Sequence, residues 1–190
     1  MFIQTEATPN PLTLKFLPGR EVLPSGTADF RTAEEAERSP LADRLFQVEG
    51  VAGVFLGHDF VSITKVDDND WYQMKPALLG IIMEHFTSGR PMLNDSAGAE
   101  TGQAEHGSEF APEDAGIVDQ IKELLDTRVR PAVAQDGGDI VFRGFERGVV
   151  YLNMRGACAG CPSSTATLKM GIENMLRHYI PEVVEVRAVT

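Results

Sequence analysis

Val149-Val150-Tyr151-Leu152-Asn153-Met154-Arg155-Gly156-Ala157-Cys158-Ala159-Gly160-Cys161-Pro162 is the stretch that organises this 190-residue sequence. A β-rich run ends at Met154, a Gly-rich loop holds both cysteines of the chain, and Pro162 stands where a helix can begin. Proline suits the first helical position, because the N–H it lacks would find no intrahelical partner there. Leu168, Ile172, Met175 and Tyr179 then recur at helical spacing, Pro181 stops the run, and residues 183–186 read as a last strand. Upstream, Ile117, Ile121, Leu124, Leu125 and Val129 make the apolar stripe of a first helix, which Pro131 should weaken or end. Asp136-Gly137-Gly138-Asp139 reads as a turn into a strand over 140–145, and Gly148 marks the turn back. Residues 113–190 are therefore predicted to fold as α-β-β-α-β, with a small three-stranded sheet and two helices.

Moving toward the N-terminus, the composition changes at residues 89–112, GRPMLNDSAGAETGQAEHGSEFAP. This run has almost no aliphatic periodicity and too little apolar surface to offset chain entropy, so it reads as a flexible acidic linker. Residues 1–88 form a second segment of α+β character. Residues 2–5 and 12–16 read as short strands around the Thr8-Pro9-Asn10-Pro11 turn, and residues 32–37 as a weak helix. Ser39 can cap another helix with Pro40 at its first position and Leu41, Leu45 and Phe46 on one face. Residues 51–56 and 60–66 form a hairpin about Gly57-His58-Asp59, and residues 71–87 a longer helix with Met74, Leu78, Ile81, Ile82 and Phe86 at helical spacing. The expected fold class is α+β: two small mixed domains, 1–88 and 113–190, joined by the linker 89–112.

The charge is −11 overall, distributed as −6, −3 and −2 over the three segments, so the cysteine-bearing segment is the least acidic. That balance argues against general nucleic-acid or anionic-membrane binding, which draw on Lys and Arg. The longest apolar run, residues 77–83, is far short of the ~20 residues of a membrane span. No signal peptide or Arg-rich organellar presequence is visible.

Two cysteines cannot build a disulfide framework, and a C-x-x-C pair points to redox or metal chemistry in a reducing compartment. A tight turn brings Cys158 and Cys161 to one side, Gly156 and Gly160 let the backbone approach the sulfurs, and a helix start beyond them favours exposed, low-pKa thiolates. Three readings compete. A buried structural thiol pair sits badly in a Gly-rich loop. A dithiol–disulfide oxidoreductase uses C-x-x-C before a helix, but the segment has too few strands for a thioredoxin-like sheet and no aromatic beside the first cysteine. Half of a thiolate-rich metal site suits zinc or an iron–sulfur cluster, both of which take four ligands. The histidines His58, His85, His106 and His178 are scattered, so the missing ligands come most simply from a second copy of the chain on a two-fold axis. Spacing does not separate a 2Fe–2S from a 4Fe–4S centre.

Arg130-Pro131, Asp136-Gly137-Gly138-Asp139, GACAGCPSSTATLKMGIE at 156–173 and Pro181-Glu182-Val183 together closely resemble the C-terminal domain of NifU-like (Nfu-type) iron–sulfur cluster proteins. The TPNP run at 8–11, Leu14-Lys15-Phe16, SPLA at 39–42, Leu45-Phe46, Val54-Phe55, Asp59-Phe60, Thr64-Lys65 and Trp71 resemble the same family's N-terminal domain. The resemblance implies a scaffold or carrier, not an enzyme, that holds a 4Fe–4S cluster and hands it to apo iron–sulfur proteins. It assigns cluster ligation to Cys158 and Cys161 and implies upstream cluster-assembly machinery as a partner. Residues 1–88 carry no cysteine and are expected to dock partners. Arg155 and Lys169 are candidates to offset the negative charge of a four-thiolate cubane, Gly137-Gly138 is assigned to the turn, and Met170 and Met175 to the core. Mitochondrial relatives carry a presequence, so the sequence predicts a bacterial cytoplasmic protein.

Overall fold

The computed structural model describes residues 2–94, 109–159 and 162–189, and it divides into two compact units, Met1–Thr101 and Gly102–Thr190. The first is built from β1 (Gln4–Ala7), β2 (Thr13–Leu17), β3 (Ala28–Phe30), α1 (Ala33–Ala36), α2 (Pro40–Phe46), β4 (Val51–Leu56), β5 (Val61–Lys65) and α3 (Trp71–Ser88). Its sheet runs β1-β2-β5-β4-β3, antiparallel throughout. Ser39 caps α2 as its sequence suggests: its hydroxyl accepts from the Ala42 N–H at 3.2 Å, and Pro40 fills the first helical position. Asp70 does the same for α3 through the Tyr72 N–H, and Gly89 ends that helix in the left-handed region. Phe16, Phe30, Leu41, Leu45, Leu56, Ile63, Leu78 and Ile82 are fully buried in one core. The strand β3 was not anticipated. The beginning of the expected linker stays on this unit: Met92 and Leu93 pack against its core, and the Asn94 backbone and side-chain N–H groups donate to the Arg38 and Glu37 carbonyls.

The second unit contains β6 (Glu109–Phe110), a 3-10 turn at Pro112–Asp114, α4 (Ala115–Leu124), a π turn at Leu125–Val129, α5 (Arg130–Gln135), β7 (Gly138–Glu146), β8 (Val149–Gly156), α6 (Pro162–Tyr179) and β9 (Glu185–Val189). The sheet order is β6-β7-β8-β9, with β7 and β8 antiparallel and both outer strands parallel to their neighbours. Mixed α/β architecture holds in both units, and the expected three-stranded sheet gains the two-residue edge strand β6. Arg147 and Gly148, both with positive φ, close the β7–β8 hairpin in the two-residue form that matches strand twist.

Pro131 does not end its helix. The π turn before it carries the Arg130 N–H to the Leu125 carbonyl, five residues back, and the widened turn lets the helix continue through the proline to Gln135. Val118, Ile121, Leu125, Val129 and Val133 from this helical run meet Ile140, Leu152 and Met154 from the sheet and Ile172, Leu176 and Ile180 from α6. Tyr179, expected in the α6 stripe, is exposed, with the Arg128 guanidinium 4.9 Å from its ring centre. No described helix is long and apolar enough to cross a membrane.

Candidate functional site

The cysteine loop leaves the end of β8 and enters α6, so its position is set by the strand that precedes it. Gly138 pairs with Gly156 and Asp139 with Arg155 where β7 begins and β8 ends. Gly156 takes φ 59°, which turns the chain out of the strand. The turn is then tied down by backbone bonds. The Ala157 N–H donates to the Gly137 carbonyl at 3.1 Å, the Cys158 N–H to Arg155 at 3.3 Å, and the Ala159 N–H to Gly156 at 3.1 Å.

Gly138 is the floor on which Cys158 rests. A β-carbon built there would lie 2.5 Å from the Cys158 Sγ and 2.9 Å from both the Cys158 nitrogen and the Arg155 carbonyl oxygen. Gly138 does not have positive φ, so glycine is needed for space and not for conformation. Cys158 is 6% exposed, buried where an exposed thiolate was expected. Cys161 and Gly160 lie outside the described residues. In sequence, both cysteines fall between the end of β8 and the start of α6.

Behind the floor lies a half-buried ion pair that the residue types alone did not announce. Arg130 donates from Nε to Asp139 Oδ1 and from Nη2 to Oδ2, both at 2.9 Å, and from Nη1 to Asp126 Oδ1 at 3.1 Å. Asp139 Oδ1 also accepts the Ile140 N–H at 2.8 Å. The Asp139 hydrogen bond, opposed by burial, pushes the Arg130 pKa further up, so the guanidinium stays charged at every accessible pH. The available signal was an Arg seven residues before the Gly-Gly doublet with an Asp directly after it, a pattern that forms part of the family likeness.

The other candidates sort by position. Arg155 is buried beside the loop; Lys169 is half-buried on α6. Met175 packs on the core as expected, whereas Met170 is exposed. Among the histidines, His58 contacts the Leu23 carbonyl through Nδ1 at 2.8 Å, His85 is buried within the first unit, and His178 stands edge-on to Tyr179. His106 lies outside the described residues. Among the described residues no three His, Cys, Asp or Glu side chains converge as a metal site. Both cysteines of the sequence, Cys158 and Cys161, fall between β8 and α6. A buried soft sulfur beside a glycine-built space is compatible with thiolate ligation.

Two family descriptions match the chain: "Scaffold protein Nfu/NifU N terminal" over residues 3–89 and "NifU-like domain" over residues 121–187. A human protein named "NFU1 iron-sulfur cluster scaffold homolog, mitochondrial" is 53% identical over 184 residues, covering 96% of this chain and 70% of that protein. A Drosophila sechellia protein of the same name is 53% identical over 190 residues, covering 100% and 65%. "NifU-like protein 4, mitochondrial" of Arabidopsis thaliana is 50% identical over 185 residues, covering 96% and 64%. This chain thus spans about two thirds of the length of these relatives. The expectation of a bacterial cytoplasmic protein is overturned by them: all three are named as mitochondrial. It had rested on the absence of a presequence, and the start of a chain shorter than its relatives is no guide to their targeting.

Proposed function

The chain belongs to the Nfu/NifU-like family of iron–sulfur cluster scaffolds, and we propose that two copies hold one 4Fe–4S cluster as cargo between their Cys158–Cys161 pairs and pass it to apo-proteins. The observation that carries this is the C-x-x-C loop between β8 and α6, with Cys158 seated on a floor that only glycine leaves room for. A cubane of this type takes four cysteine thiolates, and the chain has two cysteines in all. Two copies related by a two-fold axis supply four, and ligands that meet at a subunit boundary can be exchanged one at a time for those of an acceptor.

This chain's own contributions are those of a holder. The β7–β8 ladder fixes where the loop starts, and the Gly137 carbonyl and Gly138 floor fix where Cys158 lies. Residues 1–88, without cysteine, serve as the docking domain, with 89–112 as the joining segment and 113–190 as the cluster-holding domain. The relatives' names support an organellar setting, and upstream assembly machinery supplies the cargo.

The rival reading, a dithiol–disulfide oxidoreductase, requires a thiolate that can reach a protein disulfide. The burial of Cys158 speaks against that sulfur as the attacking group. The test is anaerobic reconstitution of the full chain with iron and sulfide, followed by incubation with an apo-ferredoxin. Cluster uptake and transfer support the carrier; absence of uptake, together with efficient insulin reduction by the apo-form, supports the rival.

A further inference from the structure

The Arg130–Asp139 pair lies outside the cysteine loop, yet it ends on the residues that loop rests upon. Two parallel N–H···O bonds of 2.9 Å set both the distance and the plane of the Asp139 carboxylate, which a single contact would not do. Asp139 is buried, and its backbone adjoins Gly138, the residue pressed against Cys158. One residue further back, the Gly137 carbonyl receives the Ala157 N–H. Two consecutive residues therefore support the loop from below, and the fork clamps the strand start that carries them.

The guanidinium is aimed by local structure. The π turn shifts Arg130 out of α-helical register with α4, its N–H bonding to Leu125, and Asp126 from that same turn holds Nη1. We propose that Arg130 and Asp139 are positioning residues for Cys158: their fork holds the Gly137-Gly138 floor in register with the cysteine loop and so places the thiol without touching it. The consequence for cluster affinity rests on Cys158 being a ligand, as argued above; the placement itself does not. An ion pair that merely ties helix to sheet would loosen the whole domain when broken. One that positions the loop loosens residues 155–159 first.

The experiment uses the full-length apo-chain and two variants. Asp139→Asn keeps the side-chain shape and loses the ionic acceptor; Arg130→Lys keeps the charge and loses the fork. Amide hydrogen exchange at Ala157 and iodoacetamide alkylation at Cys158, both read by peptide mass, report loop opening. Each should rise about tenfold, or ~1.4 kcal/mol, in both variants. Exchange in residues 166–179 and in β9 should stay as in the unaltered chain. Cluster loading should weaken about 10–100-fold, the usual effect of losing a group that orients a metal ligand. Loop exchange and alkylation within about twofold of the unaltered chain, or a rise spread evenly over the domain in both variants, overturns the proposal. If Asp139→Asn fails to fold, Arg130→Lys decides alone by the same criteria. Failure of the unaltered chain to take up a cluster would count against the carrier reading and leave the exchange result to judge the positioning.

Discussion

Adding one methyl group at Gly138 should disturb Cys158 more than any other change of that size. The new carbon would sit 2.5 Å from the sulfur and 2.9 Å from two backbone atoms, Cys158 N and Arg155 O. Carbon contacts are comfortable near 3.5–4.0 Å, so the loop must withdraw by roughly 0.5–1 Å. Two of the three obstacles are backbone, and no rotamer change relieves them. Overpacking of this kind costs about 1–3 kcal/mol, offset by ~0.4–1 kcal/mol because alanine restricts the unfolded chain. A net loss of about 1–2 kcal/mol shifts the urea midpoint of the second unit by roughly 1 M. The first unit should melt unchanged. Gly171→Ala is the control: that glycine is exposed on α6 with nothing within 4 Å of a new β-carbon. It should stabilise by about 0.5–1 kcal/mol. The assay is urea unfolding of both full-length variants, with alkylation of Cys158 and iron bound per chain measured alongside. A Gly138→Ala protein that melts at or above the unaltered chain, with unchanged alkylation and iron loading, would refute the reasoning.

Cys158→Ser and Cys161→Ser should each abolish stable cluster binding, because each removes two of four ligands from a two-chain site; iron retention by either variant after gel filtration would count against the ligand set. His85 should make the first unit acid-sensitive: burial lowers its pKa, and the charges of Arg44 and Arg90 lower it further. The unfolded chain then takes up a proton that the folded ring refuses, so stability is complete above about pH 6.5 and falls as pH drops toward the depressed folded value. His85→Leu should flatten that slope between about pH 5 and 7.5, read from urea midpoints, and an unchanged slope would remove His85 as its origin. A fragment of residues 113–190 should fold and bind the cluster, while 1–88 should fold and bind no iron; aggregation of either fragment would show that the boundary or the independence of the parts is misplaced.

Local chemistry was the legible part of this sequence. Ser39-Pro40 and the turn at Gly148 each act through one or two residues, and the cap and the turn stand where those residues put them. The mixed α/β class followed from the alternation of strand and helix patterns. The strands β3 and β6 did not, because three and two residues carry no period. Pro131 misled because the π turn that accommodates it shows itself in the Arg130 N–H bond to Leu125, which no apolar period in the sequence marks. The α6 stripe was misread only at its end: Ile180 is buried where Tyr179 was expected, and Leu176 joins Met175 on the core side. At the site, the cysteine pair was plain from spacing. The burial of Cys158 and the role of Gly138 were not, because both depend on β7 returning beneath the loop. The Arg130–Asp139 fork was hidden for the same reason, since it joins a helix to a strand across a turn.

The central claim is that one cluster needs two chains. Anaerobic reconstitution, followed by native mass measurement and Mössbauer spectroscopy on the same sample, addresses it directly. The expected species has two chains with four irons and four sulfides, and it dissociates to apo-monomer when a chelator removes the metal. One complete cluster on a single chain, with no small thiol completing the ligand set, would contradict it.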